Sequence, residues 1–126
     1  MTDTVTSLLA RNLHGVFGEA DDARRRVLVD ELFTEDALFV EPAGVTRGRA
    51  AIAAIAGKIR ATHPGFAYAE LAPAENLHGL AGRLRWTSGE PGRPPSYAGT
   101  DIIVVENGRI AALYLFFDPL PVKDVA

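Results

Sequence analysis

The chain has no cysteine, only three histidines, one methionine and one tryptophan. Without cysteine there are no disulfides, no thiolate metal sites and no thiol nucleophile. Three dispersed histidines do not make a dedicated zinc site, so neither a metal nor a cofactor is expected. Long hydrophobic runs are missing too: the longest, Ile110 to Phe117, has eight residues, against the roughly 20 a bilayer-crossing helix needs. Nor does one sign of charge dominate. Thirteen Lys and Arg against sixteen Asp and Glu leave a net charge of −3, and no segment interleaves basic residues with aromatics. Nucleic acid and membrane are therefore both excluded as expected partners. The opening Met1-Thr2-Asp3-Thr4 lacks the basic and apolar stretches of a signal peptide, which points to the cytoplasm. What is present is the balance of a globular protein, 48% hydrophobic and 23% charged residues in 126, and that length predicts a single domain over 1–126.

Two periods divide the chain. From Val5 to Ala20 the apolar positions Val5, Leu8, Leu9, Leu13, Val16, Phe17 and Ala20 follow helical spacing. A break at Gly18 to Asp22 offers an N-cap, and Ala23 to Phe33 reads as a second helix with Val27, Leu28, Leu32 and Phe33 inward. Arg24, Arg25 and Arg26 in its first turns read as a solvated face or a crossing contact. A short strand, Ala37 to Glu41, ends at the turn Pro42-Ala43-Gly44. A third helix runs from Arg49 to Thr62 and stops at His63-Pro64-Gly65. Beyond Gly65 the period falls to two, giving strands at Phe66 to Ala72, Gly79 to Thr87, Tyr97 to Glu106 and Arg109 to Asp118. Asn107-Gly108 marks a hairpin, and Ser88 to Ser96, rich in proline and glycine, marks a loop. Helices followed by antiparallel strands predict an α+β fold with the helices on one face of a strongly bent sheet.

The strand faces carry chemistry. Asp101 shares its face with Tyr97, Gly99, Ile103 and Val105, a mostly apolar side. A carboxylate there is either at the sheet edge or buried by design. In the last strand Leu113, Leu115 and Phe117 alternate with Tyr114, Phe116 and Asp118, so both faces are apolar and both need cover. So short a chain has few elements left for the second face, and a partner subunit packed sheet to sheet is the expected cover, making a homodimer.

The run Leu32 to Gly44, then Gly48-Arg49 and Ala51-Ile52 opening a helix, and finally Gly99-Thr100-Asp101 with Asn107-Gly108-Arg109-Ile110 resembles the nuclear transport factor 2-like superfamily, over nearly the whole chain. That superfamily includes ketosteroid isomerases, SnoaL-like polyketide cyclases, limonene epoxide hydrolases and scytalone dehydratases. The resemblance implies a cone-shaped, mostly antiparallel sheet wrapped around three N-terminal helices and enclosing a deep apolar pocket. Its chemical pattern is most similar to that of the isomerases, where a general base stands just before a proline and a second, protonated carboxyl donates to the developing enolate oxygen. By that resemblance Glu41 is the base and Asp101 the acid, one carboxyl ionised and the other kept neutral by an apolar site. Phe39, Tyr68, Trp86, Tyr97, Leu113, Leu115 and Phe117, with Asn12, Val16 and Phe17 of helix one, are the expected pocket lining.

The isomerases also present a tyrosine from helix one, and this helix has none. Counting along the chain offers His14, while the apolar face offers Asn12 or Val16, and Asn12 is the polar residue that points inward. Glu41 has one methylene more than the aspartate of the isomerase pattern, which displaces its carboxylate by more than about 1 Å, enough to matter for proton abstraction. Limonene epoxide hydrolases need an acid on the last strand, and SnoaL-type cyclases tend to have one there; Leu113, Leu115 and Phe117 supply none. The expected function is thus a cofactor-independent isomerase or cyclase that moves a proton next to a carbonyl of a small apolar molecule. The alternative is a non-catalytic small-ligand-binding or accessory domain. In that case Glu41 is a solvent-facing strand end, Asp101 holds a buried structural hydrogen bond, and Asn12 serves the fold.

Overall fold

A computed structural model describes residues 4–122; Met1 to Asp3 of the opening segment and residues 123–126 lie outside the described residues. The helices are α1 (Thr4–Asn12), α2 (Asp22–Leu32) and α3 (Arg49–Thr62). The strands are β1 (Phe33–Glu41), β2 (Gly44–Arg47), β3 (Ala67–Glu70), β4 (Glu75–Leu77), β5 (Ala81–Gly89), β6 (Tyr97–Glu106) and β7 (Arg109–Asp118). They form one sheet in the order β2-β1-β7-β6-β5-β3, with β4 paired to β5 off that path. Every pairing is antiparallel except β1 with β7. The architecture is the expected α+β one, three helices against a curved, unclosed sheet. No helix among the described residues is long and apolar enough to cross a membrane.

Helix one ends earlier than its periodicity suggests, and ends differently. After Asn12 the chain winds into a wider π-helical turn over Leu13–Phe17, closed by the Gly18 N–H donating to the Leu13 carbonyl at 2.9 Å. Such turns re-aim side chains within a helix and recur at functional sites. Asp21 then caps α2, its carboxylate accepting the Arg24 N–H at 2.8 Å.

The inward face of α2 departs from expectation. Val27 is 69% exposed, Leu28 is half-buried, and the buried positions are Arg25, Val29 and Leu32, while Phe33 is buried as the first residue of β1. Arg25 causes the rotation. Its guanidinium donates to the carbonyls of Val16 and Glu19 and to the Asp22 carboxylate, so each of its three nitrogens has an acceptor at a core position. Of the three arginines, Arg25 is the crossing contact, and Arg24 and Arg26 are exposed.

Helix α3 has the bounds its sequence predicts. Arg49, at its first position, donates Nε and Nη2 to the Phe33 carbonyl at 2.9 and 2.8 Å, tying the helix start to β1. β6 and β7 also match their predicted bounds. Asn107 and Gly108 both take positive φ, 51° and 74°, which is the two-residue hairpin geometry their sequence predicts. β2 and β4 were not expected, since both are short and exposed and show no alternation. β5 begins two residues late because His78 and Gly79 form a positive-φ turn, and it runs on through Ser88 and Gly89 into the predicted loop.

The core lies between the helices and one sheet face. Leu9 and Leu13, Ile52 of α3, and Phe33, Phe39, Leu84, Ile103 and Leu113 of the sheet are all essentially inaccessible, each contributing roughly 1.5–3 kcal/mol of burial. One member is an anomaly. Asn12 is fully buried, and neither amide atom has a hydrogen-bond partner.

Candidate functional site

A cavity of about 250 Å³ lies between the π-helical turn, the end of α3 and strands β1, β3, β5, β6 and β7. Glu41 and Asp101 both line it, as do Phe17, Phe39, Tyr68, Trp86, Tyr97, Leu113, Leu115 and Phe117. The fold thus brings together two carboxyls sixty residues apart in sequence. Two expected lining residues are absent. Val16 is packed wholly in the core, and Asn12 lies beside it in the hydrophobic interior, because the π-helical turn presents Leu13 and Phe17 to the cavity instead. His14 points away and pairs with Glu70 at 2.8 Å on the surface. No residue of helix one therefore supplies a polar group to the cavity.

The alternation of β6 puts Asp101 on the inner face, where it is 5% exposed. Its Oδ1 accepts the indole N–H of Trp86 at 3.0 Å. Gly99 makes this contact feasible: a Cβ there would collide with the indole ring, which lies across the glycine to reach the neighbouring strand. Burial pushes the Asp101 carboxyl up to about 7, against the lowering effect of the Trp86 bond. Near neutral pH this carboxyl can therefore be either a proton donor or an acceptor.

Glu41 ends β1 at the cavity wall. Its Oε2 accepts the backbone N–H groups of Ala43 and Gly44 at 2.6 and 3.0 Å, so this lining residue also clasps the β1–β2 turn. Register fixes where it stands, since Glu41 opposes Gly44 while Phe39 opposes Leu113 of β7.

Tyr68 packs edge-on against Trp86, ring centroids 5.1 Å apart. Burial, then the charge of Asp101, raise its phenol to about 12 against the opposing effect of Arg60. The hydroxyl is thus a donor at any physiological pH. Tyr97 is 43% exposed, and its hydroxyl meets His63 Nε2 at 3.2 Å. His63 stacks on Phe66 and on Tyr97, and Phe117 on the far side touches both Tyr97 and Trp86. These rings form a continuous aromatic rim.

Several lining residues escaped the sequence reading: Arg60, His63 and Phe66 from the end of α3 and its connection to β3, and Ser88. Ser88 was legible, since it continues the inward series Leu84 and Trp86 along β5. Arg60 and His63 were not, because only the packing of α3 brings a helix stop to the cavity. Arg60 donates Nε to the Gly18 carbonyl at 3.1 Å and Nη1 to the carbonyls of His63 and Pro64, each at 3.0 Å.

The model of the SnoaL-like domain family matches residues 16–113. No curated protein matches the sequence. Among solved structures, a candidate isomerase of the SnoaL-like family from Agrobacterium tumefaciens shares 26% identity and superposes with a TM-score of 0.84, over 94% of this chain and 100% of that one. A candidate ketosteroid isomerase from Kribbella flavida matches at 14% identity and a TM-score of 0.69, over 99% of this chain and 85% of its own. A de novo designed protein with a curved sheet reaches the same TM-score at 11% identity, over 94% of this chain and 89% of its own. Likeness at that level speaks to the fold alone. The family match, spanning most of the chain, says more: the chain belongs to the SnoaL-like family, within the nuclear transport factor 2-like superfamily.

Proposed function

We propose that the chain is a cofactor-independent isomerase or cyclase that transfers a proton next to a carbonyl of a small apolar molecule. The observation that carries this reading is Asp101, a buried carboxyl brought close to neutrality and opening onto an apolar cavity that a second carboxylate, Glu41, also lines. In this mechanism the protonated Asp101 donates its O–H to the substrate carbonyl oxygen. Glu41 takes the α-proton, the C–H electron pair becomes the C=C bond of the enolate, and the carbonyl π pair moves onto oxygen. Returning the proton at another carbon completes an isomerisation; attack of the enolate on a second carbonyl completes a cyclisation. A positioned base contributes typically 10²–10⁴ in rate and an oxyanion donor about 10²–10³.

A second reading is favoured by one observation. The Glu41 carboxylate is already bonded to two turn amides, as a purely structural residue would be, and this supports a ligand-binding domain without turnover. Solvent-deuterium exchange into cyclohexenone, followed by NMR, separates the two. The enzyme reading expects exchange accelerated over buffer, and a loss of at least 100-fold in Glu41→Gln and in Asp101→Ala. Glu41→Gln keeps a carbonyl oxygen for the turn. Binding of the ketone with no acceleration would leave the ligand-binding reading.

The proposed working form is a cytoplasmic homodimer joined through the outer sheet face. Val40 and Tyr114 are register partners there, as are Tyr114 and Ile102, and Phe116 is 56% exposed. An apolar strip of this kind supports a sheet-to-sheet contact.

A further inference from the structure

The cavity wall carries charge of both signs. Glu41 and Asp101 supply its acidic groups, and Arg60 faces it as a cation that forms no ion pair among the described residues. A guanidinium has five N–H donors. Three of those on Arg60 are accounted for by the carbonyls of Gly18, His63 and Pro64, which leaves the two Nη2 hydrogens. Those carbonyl bonds also hold the side chain in place, so binding an anion would cost little further ordering. Half-buried on the wall of an apolar cavity, this charge would gain from a hydrogen-bonded anionic partner. Beside it stands the His63–Tyr97 pair, a second set of polar atoms on the same rim. The Tyr68 phenol lies within electrostatic reach of both Asp101 and Arg60.

We propose that the natural ligand is a small carbonyl compound bearing a carboxylate, with its carbonyl oxygen at Asp101 and its carboxylate on Arg60. This rests on the proton-transfer reading above and narrows its substrate class. Arg60 is then a specificity-determining residue, and a neutral ligand leaves its charge uncompensated. The cavity volume, about 250 Å³, falls below the roughly 300 Å³ where sites for drug-sized molecules begin, which fits a compact, single-ring acid.

The test uses phenols as enolate mimics. Para-hydroxybenzoate, para-hydroxyphenylacetate and para-hydroxycinnamate, which differ in span, are titrated calorimetrically against the full chain, each beside its methyl ester. At least one acid is expected to bind about 10- to 100-fold more tightly than its ester, the range of one hydrogen-bonded charge. In Arg60→Met that preference should vanish while ester affinity changes less than threefold, which also reports an intact cavity. Should Arg60→Met fail to fold, Arg60→Lys is the second variant, expected to retain a reduced preference for the acid. Esters that bind as well as acids in the wild type overturn the inference alone. A wild type that binds neither acids nor esters overturns the proton-transfer reading with it.

Discussion

Replacing Asp101 by asparagine changes how stability depends on pH, and the effect can be sized from the structure. The carboxyl has an ordinary value of 3.8 when exposed and about 7 when folded. Because the folded value is the higher, the folded chain retains this proton after the unfolded chain has lost it. Its contribution is complete below about pH 4 and declines as pH rises toward 7. Each pH unit in that window removes about 1.4 kcal/mol, so the total loss is about 4 kcal/mol, with a plateau above pH 7. Asparagine resembles the neutral acid in shape and keeps an acceptor for the Trp86 N–H. Urea unfolding of both proteins at intervals from pH 4 to 8 should therefore diverge, the variant gaining on the wild type up to pH 7 and then running parallel. Slope is decisive, since a constant offset reflects only altered packing. Parallel curves from pH 4 upward would refute the claim that folding holds a proton on Asp101.

Trp86→Phe removes the one hydrogen bond that favours the charged carboxylate, so the Asp101 titration followed by carbon NMR should move above 7; movement downward contradicts the assigned cause. Phe116→Asp is expected to halve the mass seen by light scattering without unfolding the chain, and a wild type already monomeric at micromolar concentration removes the sheet contact. Asn12→Leu replaces a buried amide with no partner and should raise the urea midpoint, equivalent to about 1–2 kcal/mol; a comparable loss would mean that the amide is satisfied.

How much of this was legible depended on whether the signal was local. α3, β6, β7 and the Asn107-Gly108 turn have the bounds their sequence predicts, because each is set by periodicity and by residues with narrow backbone preferences. Asp101 was readable as an inward carboxyl from strand alternation alone. α2 misled for a physical reason: an arginine with three acceptors within reach outcompetes Val27 for the inner face, and nothing in the local pattern reveals those acceptors. The π-helical turn was equally hidden. It alters which side of helix one meets the cavity, so Phe17 stands where it was expected, while Leu13 takes the place expected of Asn12 and Val16. Arg60 and His63 were invisible as site residues because their placement is a property of tertiary packing, and in sequence they read only as the end of a helix.

The parallel pairing of β1 with β7 sets Leu38 beside Ala112 and Phe39 beside Leu113, residues 74 apart in sequence. Because β7 also separates β1 from β6, the wall bearing Glu41 cannot join the wall bearing Asp101 until the last strand has been made. A ribosome-bound chain halted before residue 109 therefore has every acidic group of the site and no site. The two walls become one only through the pairing of β7 with both of its neighbours.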